Sequence, residues 1–558
     1  TLEMPSCGGI TDKQIAEAVR EGRLDEKLLD EQVDRLLTMV FTTGEALGRD
    51  VKYDRAQHHL FAQRAAEETA VLLKNDGGIL PVDDWNRTVA LIGPFAEKPR
   101  YQGAGSSKIV PTLMDTALQA LPQCGMNIKG YAPGFERNGR DDEKLLRAAV
   151  ELAGSADVAL LYFGLSETDE AEGVDRESMR LPENQIKLLK AIYEVNKNII
   201  VVLSCGCSVE MQWQRYARAI IHGYLGGQAG AMAMARLLTG KANPSGKLSE
   251  TIPLNLGAVP SSPYFPGREA TAEYREGIFV GYRYFDTAKL PAMYPFGFGL
   301  SYTQFEYSDM SVDGDTVRFK VKNTGAVPGA EVAQLYVSAH TGGMFRPVKE
   351  LKGFARAYLE PGEERELSIS LNDRSFAVWS VTENRWVVEP GEYELLVGAS
   401  SADIRLRAAV TRSGEAVENP YQGEAFAPYY TADVMHVPDE SFEALLGRRP
   451  PRREWKKQAR LGINDNISQG EYLKKGLGRP LYKSLKLARD ACSAAGMLDG
   501  AVNMSFIMNM PFRAIGRMSR AFDDEQMSAF MKLVNGENGA AESLVEATRA
   551  RYRKKKQP

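Results

Sequence analysis

The chain has 558 residues, 44% of them hydrophobic, and 69 Lys+Arg against 73 Asp+Glu leave a net charge of −4. That length holds roughly three or four cores of ordinary domain size, and the near-neutral balance excludes a chain built throughout to bind nucleic acid. No apolar run approaches the ~20 residues of a bilayer span, no charged start leads into an apolar stretch, and five Cys and five His show neither a disulfide framework nor ligand spacing. A reducing cytoplasm, with no metal and no cofactor, is the expectation.

Residues 1–45 carry one helical pattern, from Asp12 to Arg20 and then Leu29 to Val40, with apolar positions three and four apart. It is too little for a domain and reads as the end of a larger one, joined by a linker at 46–59. From 60 to 255, β-branched runs alternate with helices. The strand candidates are Thr88–Gly93, Val158–Phe163, Ile199–Ser204 and Ala219–Tyr224; the helices between them include Glu143–Leu152, Glu183–Val195 and Ala229–Leu238. Strands bounded by such helices predict an α/β sandwich with a mostly parallel sheet.

Residues 256–304 are rich in Pro, Gly and aromatics and read as a connection. Between 305 and 412 a period of two appears in Val317/Phe319/Val321, Leu367/Ile369/Leu371 and Tyr393/Leu395/Val397, with turn signals at Asn323-Thr-Gly325, Pro361-Gly362 and Pro390-Gly391. That pattern predicts an antiparallel β-sandwich. The fold class is therefore multidomain: α/β, then all-β, then a helical extension over 413–558. The extension is basic at 448–460 and 549–556, and Met-rich between 497 and 531.

Generic chemical motifs fail. Gly240 to Leu248 lacks the spacing and the Ser/Thr of a phosphate loop, and His58-His59 reads as a solvated helix start. Cys205 and Cys207 lie at the end of an apolar, strand-like run with no His cluster nearby. The informative stretch is Tyr162 to Arg176, which leaves a predicted central strand carrying Glu167, Asp169, Glu170, Glu172 and Asp175. Ligands in open α/β sheets sit outside the carboxyl ends of strands. Crowded carboxylates also raise one another's pKa, which keeps a general acid protonated. Spacing alone leaves a solvated acidic loop as the alternative.

With Arg180-Leu-Pro-Glu-Asn-Gln185 after it, this loop resembles the acid/base loop of family 3 glycoside hydrolases of the β-glucosidase/β-xylosidase type. Glu68 to Asn75, Pro99 to Ser107, Asn243 to Lys247, Tyr274 to Phe285 and Phe296 to Tyr302 resemble other parts of that family's second domain. Arg346 to Phe354 is similar to its fibronectin-III-like domain.

The resemblance implies a retaining exo-β-glycosidase, foremost a β-glucosidase, working by double displacement. It places the general acid/base on Glu172, with Glu170 as the second candidate. Ser106 would approach the sugar, and Asp175 with Arg176 would brace the loop as an ion pair. It also implies a nucleophile on an N-terminal TIM-like barrel that this stretch of sequence lacks, so the chain alone is expected to be inactive. The expected partners are a β-linked oligosaccharide or glucoside substrate, the barrel in cis or in trans, and a second copy in a homo-oligomer; no nucleic acid is expected. The basic tail points either to an anionic membrane or to packing on the body of the protein. The alternative function is a non-catalytic carbohydrate-binding or assembly subunit derived from such an enzyme.

Overall fold

A computed structural model describes residues 10–105, 107–172, 175–267, 271–451, 460–519 and 522–556. The chain divides into two compact units, one of residues 56–171 and 175–453, the other of 1–55, 172–174 and 454–558.

In the second of these units, α1 (Ile10–Arg20) and α2 (Glu26–Gly44) come first. The Asp25 carboxylate caps α2 by accepting from the Lys27 amide. None of the α2 side chains is buried.

The larger unit opens with α3 (Arg55–Thr69) and β1 (Val71–Asn75), followed by β2 (Thr88–Ile92), α4 (Ala117–Gln123), β3 (Asn127–Ala132) and α5 (Glu143–Gly154). Next come β4 (Val158–Gly164), α6 (Glu183–Val195), β5 (Ile199–Ser204), β6 (Ala219–His222) and α7 (Gly230–Leu238). Six strands form one sheet in the order β1-β6-β5-β4-β2-β3, parallel throughout except for β1. β4 reads Val-Ala-Leu-Leu-Tyr-Phe-Gly and is buried at every position. A strand covered on both faces needs such an unbroken apolar run. Helix α6 lays Leu188, Leu189 and Ile192 into the core that also holds β4 and β5.

The helical turn α8 (Tyr282–Thr287) leads to the sandwich: β7 (Phe305–Asp313), β8 (Thr316–Asn323), β9 (Gly329–Ala339), β10 (Glu350–Leu359) and β11 (Glu364–Ser370). After the turn α9 (Asp373–Phe376) and the short pair β12 (Val378–Ser380) and β13 (Arg385–Val387), β14 (Gly391–Ser400) and β15 (Asp403–Arg412) complete it. The two main sheets run β10-β9-β14-β15 and β11-β8-β7. Their shared core is made by the alternating residues that the sequence singles out, Val317/Phe319/Val321, Leu367/Ile369/Leu371 and Tyr393/Leu395/Val397.

The stretch after 412 is two packing units, which its composition does not reveal. Helices α10 (Ala427–Thr431) and α11 (Asp439–Leu446) share a core with residues 279–285, where Phe426, Tyr429 and Phe442 meet Phe279, Tyr284 and Phe285. Further on, α12 (Gly478–Ala494), α13 (Leu498–Asn509), α14 (Phe512–Ser519), α15 (Asp524–Val534) and α16 (Ala540–Lys556) follow. They and the loops before them bury Leu461, Ile467, Phe512, Met527, Met531 and Val534 together. Met508 and Phe512 of the Met-rich stretch are thus interior residues of this helical unit. Among the described residues no helix is long and apolar enough to cross a membrane.

Candidate active site

The strand order reverses beside β2: β3 lies on one side of it and β4 on the other. The loops leaving β2 and β4 therefore diverge at a topological switch point, where parallel α/β sheets open a crevice. Gly93 ends β2 at φ +116, and a Cβ there would lie 2.3 Å from the Tyr162 carbonyl oxygen. Only glycine lets β2 turn this close to β4.

Arg100, on the loop after β2, crosses the switch point. Its Nη1 donates to the Leu165 carbonyl at 2.9 Å and to Glu170 Oε2 at 3.3 Å, and Nη2 reaches the Glu170 carbonyl at 3.3 Å. Both side chains are buried, Arg100 at 1% and Glu170 at 9% exposure. The Glu170 carboxylate also accepts from the Gly206 amide at 2.9 Å, and from the Cys207 amide and thiol at 3.1 Å each. One carboxylate thereby ties together the loops after β2, β4 and β5. A parallel bridge between Ala104 and Ala171 extends the same junction.

The other acidic side chains of the loop differ in exposure. Glu167 pairs with Arg137 at 2.5 Å, and Asp169 accepts from the Ser166 amide and hydroxyl at 2.8 Å. With Glu170, three of the loop's carboxylates are thus engaged by donors of their own rather than crowded against one another. Glu172 and Asp175 remain at the surface. The expected brace between Asp175 and Arg176 is replaced by another. Arg176 Nη1 donates to Cys207 Sγ at 2.8 Å and to the Ser208 carbonyl at 3.0 Å, and among the described residues no ion pair joins it to Asp175. The guanidinium reaches across to the β5 loop, where Cys207 is half-buried and Ser208 buried, while Asp175 is exposed. Ser106 lies outside the described residues.

Burial dominates the electrostatics behind the loop. It pushes the Cys207 thiol up to about 11, with Arg176 opposing and Glu170 adding to the shift. Burial also raises Glu250, whose Oε2 accepts from the Ser208 hydroxyl at 2.5 Å, an opposing effect. At the end of β6, burial lowers His222 to about 4, and its Nδ1 lies 3.1 Å from the Leu203 carbonyl. His59 is held too: its ring nitrogens contact Asp115 Oδ2 at 3.0 Å and Gln228 Nε2 at 2.9 Å, so only His58 of that pair is solvent-facing. Sequence reasoning passed over Arg100 and Glu250 as individual residues and weighed Cys207 only as a metal ligand. The signal for Arg100 lies inside the Pro99–Ser107 motif. Among the described residues no cluster of His, Cys, Asp and Glu could hold a metal ion.

The switch-point crevice, its carboxylate-bearing loop and the following β-sandwich define a class. The glycosyl hydrolase family 3 C-terminal domain matches residues 70–302, and a fibronectin type III-like domain matches 331–401. The chain belongs to glycoside hydrolase family 3. Among its relatives is the thermostable beta-glucosidase B of Acetivibrio thermocellus, 45% identical over 421 residues, which are 73% of this chain and 56% of that protein. The exo-alpha-(1->6)-L-arabinopyranosidase of Bifidobacterium breve is 40% identical over 75% of this chain and 57% of its own length. A crystal structure of the Bifidobacterium adolescentis family 3 beta-glucosidase superposes with a TM-score of 0.71 at 41% identity, covering 78% of this chain and 66% of that one. The chain spans somewhat more than half the length of the curated relatives it matches, and among the described residues there is no closed barrel.

Proposed function

We propose that the chain carries the acid/base half of a retaining exo-β-glycosidase, foremost a β-glucosidase, with Glu172 as the acid/base. One observation carries this reading. Glu170 is clamped by donors from two neighbouring loops, while Glu172, two residues further, is exposed to solvent. A group that must donate a proton to the leaving oxygen and then take one from water needs access to both. Glu170 is a positioning residue in this scheme, since its lone pairs are spent on Arg100, Gly206 and Cys207. Ser106, outside the described residues, would approach the sugar. The nucleophilic carboxylate would come from a barrel domain in cis or in trans, about 5–5.5 Å from the acid/base in a retaining enzyme. The arabinopyranosidase relative favours a second glycone, so α-L-arabinopyranosides belong in the assay beside β-D-glucosides and β-D-xylosides.

The test uses the 558-residue chain alone and the same chain joined behind the N-terminal region of the A. thermocellus relative. Alone, it should hydrolyse an aryl β-glucoside no faster than its Glu172→Ala variant. In the fusion, Glu172→Ala should lower turnover about 10²–10⁴-fold, and azide should restore part of it with formation of a β-glycosyl azide. Rescue of Glu170→Ala instead of Glu172→Ala would move the assignment to Glu170. Turnover by the chain alone that Glu172→Ala abolishes would overturn the division of labour between two domains.

A further inference from the structure

A cavity of about 740 Å³ opens in the larger unit beside the acid/base loop. It lies between the β5 loop, residues 249–265 and residues 280–285, with Phe296 and Leu351 closing one side. That volume is in the ~300–1,000 Å³ range of small-molecule sites, which are mostly apolar with a few placed polar groups. The lining follows that pattern. Tyr282 and Phe296 line it as a ring pair with centroids 4.6 Å apart. Phe265 and Val280, also lining it, are 49% and 45% exposed, so apolar surface continues outward at the rim.

The polar lining includes Arg176, Ser208, Glu250 and Thr251, with Ser178, Ser249, Ser261 and Arg283 around them. The Glu250 carboxylate is occupied on one oxygen, Oε2, by the Ser208 amide and hydroxyl. Two donors nearby find no acceptor among the described residues. Arg176 Nη2 and Thr251 Oγ1 are buried without a hydrogen-bond partner among the described residues, and Thr251 as a whole is 8% exposed. Buried donors without acceptors are costly, so the folded chain has reason to accept a group that satisfies them.

A monosaccharide fits this lining badly: each of its several hydroxyls needs a partner, and most of the wall is apolar. An aromatic ring with one hydroxyl fits it on both counts. The rings would stack on Tyr282 and Phe296. The hydroxyl would donate to the carboxylate and accept from Thr251 or Arg176.

We propose that this cavity is a binding site for a phenolic small molecule, held by Tyr282 and Phe296 through its ring and by Glu250, Thr251 and Arg176 through its hydroxyl. The site is complete within residues 175–453 and does not depend on the hydrolase reading above. Because Arg176 also donates to Cys207, and Cys207 to Glu170, an occupant touches the same guanidinium that braces the catalytic loop.

The experiment titrates the 558-residue chain, labelled with [¹³C-methyl]methionine, with 4-methylumbelliferone, with its β-glucoside and with glucose. Met179 lines the cavity, and Met179→Leu identifies its methyl signal. The free phenol should shift that signal saturably, with a dissociation constant of about 1 mM or tighter. Thr251→Val, which keeps the shape and removes the hydroxyl, should weaken binding about 10-fold. Val280→Trp, at the exposed rim, should obstruct the entrance and abolish the shift while leaving the melting temperature unchanged. No shift of Met179 with the phenol would overturn the proposal. So would a shift that survives Val280→Trp, or glucose or the glucoside moving the signal at the same concentrations as the phenol.

Discussion

Helices α6 and α2 carry the same kind of apolar stripe and meet opposite surroundings. In α6, Leu188, Leu189 and Ile192 recur at one- and three-residue steps and sit fully covered in the core of the six-stranded sheet. In α2, Leu28, Val33, Leu36, Leu37 and Val40 repeat with comparable spacing, and all five are exposed. A stripe is a property of one helix, but its burial is supplied by a neighbour. The difference teaches which part of the chain is energetically closed. Helix α6 has its stripe covered by the sheet, while α2 presents a face with no cover among the described residues.

The sharpest way to break this contrast is through charge. Arg100→Ala leaves the Glu170 carboxylate buried without its cation, and losing one partner of a buried pair typically costs about 3–5 kcal/mol. Its counterpart in the other unit, Arg460→Ala, removes an ion pair to Glu537 in which the arginine is 68% exposed, and should cost less than about 1 kcal/mol. Chemical denaturation of the two variants should separate them clearly. Equal losses would show that the clamp at the switch point contributes no more than a surface pair.

Cavity formation probes the helices themselves. Leu188→Ala in α6 should destabilise the sheet by about 2–5 kcal/mol, whereas Leu36→Ala in α2 should stay within about 0.5 kcal/mol. A large loss at Leu36 in thermal melting would mean that the α2 face is covered in solution, and the contrast would fail.

A smaller and pH-dependent effect distinguishes the units as wholes. His222 titrates near 4 in the fold because burial disfavours its charged form, against about 6.5 in an unfolded chain. The unfolded state therefore binds the proton first. The stability contributed by the neutral ring is fully present above about pH 6.5 and is lost as the pH falls toward 4, by up to about 3 kcal/mol. His222→Phe should flatten that part of the pH profile of melting. The unit of residues 1–55, 172–174 and 454–558 contains no histidine, so it should not share this acid loss. An unchanged profile in His222→Phe would assign the acid sensitivity to other groups.

Much of this architecture is legible along the chain. The strands from Val158 and Ile199 announce themselves as unbroken apolar runs, and Val317/Phe319/Val321 reads as one face of a strand. Less legible are β1, which pairs antiparallel at the sheet edge, and β3, whose residues are mostly half-exposed. β3 buries too little to leave a clear pattern, and the buried Val71-Leu-Leu73 of β1 is too short a run to be told from the helix before it.

The sequence by itself determined the domain types, the interior faces and the loop on which the carboxylates cluster, because these follow from period and residue type within a few positions. Only the tertiary structure decided which donors Glu167, Asp169 and Glu170 engage. Glu170 is a clamp because Arg100, 70 positions earlier, and Gly206, 36 positions later, arrive beside it at the switch point. Arg176 leaves Asp175 for Cys207 by the same route. Burial and hydrogen bonding fix the role of a charge, and the groups that provide them come from distant strands brought together by the order of the sheet.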